Sequence, residues 1–175
     1  MDAGKEEAKK LFFEFACNHF YMDHDRMGET YAQFDVSEAE EAQWRQEYIA
    51  LWVSRLSTED LTAVNSLTSA WAGGALPALI AMADKGDGYA RLWYANALWD
   101  LATHCTLADD IRRQAIQTAV ELWKSLIRGP IELSEGHRAT IAPSLKYLEA
   151  ATPEEYVRNY AKRRLPAQYQ GNEDE

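Results

Sequence analysis

The chain has 175 residues, 47% of them apolar, and a formal net charge of −10 at pH 7. That length suits one domain with its own core, and the apolar share excludes global disorder. The acidic balance argues against nucleic-acid binding, which rests on neutralising phosphates with lysine and arginine, and no apolar run is long enough to span a membrane. The charged start, Met1 to Glu7, does not read as a signal peptide, so the expected location is cytoplasmic. Cys17 and Cys105 lie far apart beside apolar helical stretches and read as free buried thiols, not a disulfide framework.

In chain order, apolar residues at three- and four-residue spacings predict a first helix over 3–22, with Leu11, Phe12, Phe15, His19 and Phe20 toward the core. Residues 23–36 lack such periodicity and read as a long loop with a short turn near 31–34. Ser37 and Glu40 have capping-box spacing, so a second helix follows to about residue 56. Ser57 and Asp60 repeat a start signal for a third helix to about residue 71, which Gly73-Gly74 breaks. A fourth helix covers 75–83 with Pro77 in its first turn, closed by Gly86 and Gly88. A fifth spans 89–103. A sixth runs from near 107 to Gly129-Pro130, with Asp109 and Asp110 where the helix dipole favours acids. A seventh covers 134–150, bent or divided at Pro143, and Thr152, Pro153 and Glu155 open an eighth that ends near 165. Residues 166–175 read as a disordered acidic tail. The expected fold is a single all-α domain over 1–165 of about eight helices, either a short α–α superhelix or an irregular bundle.

Ala75-Leu76-Pro77-Ala78-Leu79-Ile80, then Asp87, Arg91 and the run from Ala95 to Ala102, resembles a HEAT repeat. The resemblance covers about one repeat, residues 75–102. It implies stacked helix pairs forming a curved solenoid, and a protein-binding scaffold more often than an enzyme.

The fifth helix is the most informative element. Apolar and small residues occupy most of its circumference, so it should be central and largely buried. Asn96 and Asp100 stand one turn apart and share a face with Tyr89 and Trp93, which together make a candidate recognition surface. The plainer reading is that Asn96 and Asp100 bond backbone or pair with Arg112 or Arg113. Trp44, Tyr48 and Trp52 form a ridge at four-residue spacing on the second helix, ordinarily core but flanked by Glu41, Arg45 and Arg55, and so a second candidate surface.

Other clusters carry less. His19 and Asp23 could share a metal, with His24 and Asp25 close by, but no second ligand cluster accompanies them and no metal or cofactor is expected. His104 and Cys105 are adjacent, which on a helix points them apart. Glu135-Gly136-His137 is a weak signal. Lys162, Arg163 and Arg164 sit where the dipole favours cations.

Charge is uneven. Between 23 and 60, ten acids face three bases, whereas 111–165 is rich in lysine and arginine. Such polarity either attracts a partner or binds the two halves together. The leading expectation is a non-enzymatic module that recognises another protein with a basic surface. An immunity or inhibitor-type protein covering a basic active site is one concrete form, by analogy. The rival is a small-molecule-binding protein or enzyme with a pocket around helix 89–103, which a closed concave site holding Tyr89, Trp93, Asn96 and Asp100 would favour.

Overall fold

The computed structural model describes residues 3–170, and among these there are ten α-helices, three short 3-10 turns and no strand. The helices are α1 (Ala3–Glu14), α2 (His19–His24), α3 (Gly28–Ala32), α4 (Glu38–Val53), α5 (Thr62–Ser69), α6 (Leu76–Met82), α7 (Gly88–His104), α8 (Asp109–Arg128), α9 (Glu135–Ile141) and α10 (Pro153–Arg164). Eight of them have seven residues or more, so the all-α reading with about eight principal helices holds. No helix among the described residues is long and apolar enough to cross a membrane.

Local chemistry sets most of the starts. Ser37 Oγ accepts from the Glu40 N–H while the Glu40 carboxylate accepts from the Ser37 N–H, completing the capping box of α4. Bonds from Lys5 and Ser37 lower the Glu40 carboxyl to about 2. Asp87 caps α7, Ser134 caps α9 and Thr152 caps α10, each accepting backbone N–H groups of the first turn. Pro143 divides the 134–150 stretch as anticipated: α9 ends at Ile141 and a 3-10 turn runs on to Leu148.

The ends are less conventional. The helix anticipated over 3–22 stops at Glu14. Ala16 N–H donates to Phe13 O and Cys17 N–H to Phe12 O, the paired bonds of a Schellman closure, with Ala16 at φ 52° and Cys17 at φ 54°. Asn18 then caps a separate helix, α2. His19 and Phe20 are therefore exposed, Phe20 by 69%, and not in the core as their spacing suggested. Arg26, Trp71 and Glu149 close α2, α5 and the 142–148 turn in the same left-handed way. No described glycine has a positive φ. Glycine instead permits close approach: a Cβ on Gly88 would stand 2.5 Å from Ile131 Cγ2 and 3.3 Å from Glu132 O, which itself accepts the Gly88 N–H. Residues 23–36 contain the end of α2 and all of α3, not one loop.

The core is organised about α7, as expected of the fifth helix. Ten of its seventeen residues are buried, because α5, α6, α8 and α10 all pack against it. Alanines on the facing pair, Ala95 and Ala102 on α7 and Ala115 and Ala119 on α8, are buried and keep the two helices close. Phe12 of α1 carries the core to the N-terminal helices, its ring 5.7 Å from Tyr31 and 6.2 Å from Trp44. Pro166 to Gln170 departs from the disordered reading. Ala167–Tyr169 forms a 3-10 turn, Tyr169 sets its ring edge-on to Trp99, and Gln170 donates to Leu165 O. The remainder of the expected tail, 171–175, lies outside the described residues.

Candidate functional site

The first half of α7 opens onto a cleft of about 260 Å3. One wall is Tyr89 and Trp93, half-buried and edge-to-face with ring centroids 6.0 Å apart. The other is the 59–65 segment before and within α5, which contributes Glu59, Asp60, Leu61, Thr62 and Asn65. His137 and Thr140 of α9 close the end.

One network fixes this geometry. Asp87 uses Oδ1 to accept the N–H groups of Tyr89 and Ala90, each at 3.1 Å. Its Oδ2 accepts the Ser134 N–H at 2.8 Å and the His137 Nδ1–H at 2.7 Å. His137 is 6% exposed, and its Nε2 lies 3.2 Å from Glu59 O. Burial acts to raise the Asp87 carboxyl, but the N–H groups of Ser134 and Ala90 and the His137 ring outweigh it and hold it below the usual aspartate range. The result ties the α5 entry, the α7 start and the α9 start to one carboxylate. The His137 ring thus sits between two acceptors, Asp87 Oδ2 and Glu59 O, and packs 5.0 Å from the Tyr89 ring, centroid to centroid. Burial raises the Tyr89 phenol against the counter-effect of its bond with Trp93. Tyr89 therefore stays neutral and acts as a contact and hydrogen-bonding group.

The anticipated four-residue face divides. Tyr89 and Trp93 line the cleft; Asn96 and Asp100 do not. Asn96 is 6% exposed, and its Oδ1 accepts the Trp123 Nε1–H of α8 at 3.3 Å. Asp100 accepts from Arg164 of α10, whose guanidinium also lies 5.8 Å from the Trp123 ring centroid. Asp100 thus pairs with Arg164, not with Arg112 or Arg113. On α4, Trp44 and Tyr48 are core residues at 5% and 4% exposure and cannot meet a partner. Trp52 is half-buried, with the Arg55 guanidinium 5.3 Å from its ring centroid.

The lesser clusters are structural. His19 pairs with Glu41 and His24 with Asp25. Among the described residues no three His, Cys, Asp or Glu side chains converge as a metal would need. Burial pushes the Cys17 thiol up to about 12, so it is inert as a nucleophile. His104 bonds Asp100 O, while Cys105 donates to Trp71 O. His137 and the acidic pair Glu59–Asp60 were missed as site residues. The signals available were Ser134, whose capping position places His137 in the first turn of a helix, and Asp87 at the start of the α7 apolar run. Compared with protein-family models, with curated proteins and with solved structures, the chain shows no match in any of the three.

Proposed function

We propose that the chain is a non-enzymatic protein-binding module, and that the cleft before Tyr89 and Trp93 receives a basic segment of its partner. The observation that carries this reading is that two half-buried aromatic rings line one cleft with two adjacent acids, Glu59 and Asp60, of which Asp60 also accepts the Thr62 N–H. Aromatic rings supply contact area and attract cations, and carboxylates at the rim favour and steer a basic chain. Two of the four residues that a closed pocket would need are bonded elsewhere.

The α6–α7 pair and the Asp87 turn between them are the scaffold for this surface, and we read them as one HEAT-like unit on the resemblance of residues 75–102. Masking of a basic active site, as an immunity or inhibitor-type protein does, is the concrete form proposed. Glu59→Lys with Trp93→Ala leaves the Asp87–His137 network in place, because His137 uses only the Glu59 carbonyl. In pull-downs from the native host, the parent chain should retain a basic protein that this double variant loses, with circular dichroism unchanged. Equal retention by parent and variant overturns the cleft as the binding surface.

A further inference from the structure

Four large apolar side chains are exposed among the described residues, and three of them belong to two segments that meet: Phe20 by 69% and Tyr21 by 38% on α2, and Trp71 by 44% just after α5. The corner is assembled from helix ends. Asn18, which opens α2, donates to Ser69 O at the end of α5. Arg45 ties the same two segments from beneath, donating to Cys17 O and Ala70 O. Trp71 follows at φ 50° and rests on His104 at the end of α7, ring centroids 4.9 Å apart. Between α1 and α2 lies a hollow of about 430 Å3 with Phe15, Ala16, Tyr21 and Ser69 as its walls and Glu14 and Asp25 beside them. No lysine or arginine lines it.

We propose that this corner is a second docking surface, which takes a segment of another protein presenting an arginine beside a large apolar residue. The inference rests on the protein-binding reading but uses a surface distinct from the Tyr89–Trp93 cleft. The hollow has room for one long cationic side chain, the Glu14 carboxylate and Asp25 Oδ2 (Oδ1 meets His24 Nδ1) to meet a guanidinium, and the Tyr21 ring to stack on it. Phe20 and Trp71, held outside it, offer apolar contact to the neighbouring residue of the same segment. Soluble chains seldom leave exposed aromatics grouped without a partner to cover them. Charge complementarity selects the partner: an acidic segment would meet Glu14 and Asp25, and an uncharged one would leave both carboxylates desolvated.

The test is titration of acetyl-Leu-Arg-Leu-amide into the full isotope-labelled chain, followed by amide and indole NMR shifts, with acetyl-Leu-Glu-Leu-amide as the control. Shifts should centre on Phe15, Tyr21, Ser69 and Trp71, and the glutamate peptide should leave them unmoved. Glu14→Gln with Asp25→Asn changes exposed side chains only and should weaken the arginine peptide about fivefold, as the loss of two exposed ion pairs implies. Two outcomes overturn the corner: equal response to both peptides, or undiminished affinity in the double variant. Shifts confined to Tyr89 and Trp93 overturn it too, while leaving the cleft reading standing. Loss of the pulled-down partner on mutating the cleft, with corner shifts intact, separates the two surfaces in the other direction.

Discussion

Asp87 accepts four hydrogen bonds with its two oxygens, joining the α7 start to the α9 start and, through His137, to the segment that enters α5. Replacing it with alanine removes a helix cap and a charge-assisted bond to a buried histidine, and should cost about 3 kcal/mol in urea unfolding. The pH dependence has a definite sign. The folded carboxyl is depressed, so its stabilisation is fully present above the unfolded aspartate value of about 3.9 and is lost as pH falls through the lower folded value. The stability gap between the parent and Asp87→Asn should therefore shrink as pH falls below about 4; a gap that widens over that acidic range contradicts the assignment. Tyr89 and Trp93 were legible from spacing alone, since four residues along a helix put them on one face. The partners of Asn96 and Asp100 were not, because Trp123 lies 27 residues away and Arg164 lies 64 away. Local pattern names a face; it does not name what the tertiary fold presses against it.

At the scale of the helix, starts and ends differ in how they are written. A cap such as Ser37 or Thr152 is a side chain whose chemistry announces the helix it opens. A Schellman closure is a backbone event, and here it falls on Ala16, Arg26, Trp71 and Glu149, which carry no compositional signal. That is why the break within 3–22 and the exposure of Phe20 escaped a periodicity argument. Left-handed backbone costs a residue with a Cβ about 1 kcal/mol. Arg26 and Glu149 are exposed and lose little packing on truncation. Arg26→Gly and Glu149→Gly should each raise the free energy of unfolding by roughly 0.5–1 kcal/mol, against the usual direction of glycine substitutions. A fall in the urea midpoint of both variants would count against the closure geometry.

Across the whole molecule, charge and packing follow different maps. Among the described residues no ion pair joins the acidic 23–60 segment to the basic 111–165 segment. Lys5 and Lys9 of α1 meet Glu40 and Glu47, Arg158 serves the Ile127 and Gly129 carbonyls, and Arg164 serves Asp100. Much of the acidic field is thus left for an encounter with something else, as the binding proposal requires. Packing, by contrast, runs continuously from Phe12 through Leu98 to Val157. Unfolding should then be one cooperative transition, with tryptophan fluorescence and far-ultraviolet dichroism coinciding, and Leu98→Ala should lower both together by about 3 kcal/mol. The centrality of α7 was readable in the sequence because a helix apolar all round has only one place to go.

Trp71 combines two of these features, a left-handed closure and an exposed ring. Glycine there would relieve the backbone but forfeit the contact with His104 and the covered half of the ring, so strain and packing oppose each other at this position. If the corner docks a partner as proposed, recognition adds a second reason to keep the indole against the strain of its backbone. A lineage released from its partner would be free to drift toward glycine, and one that still meets its partner would carry the strain.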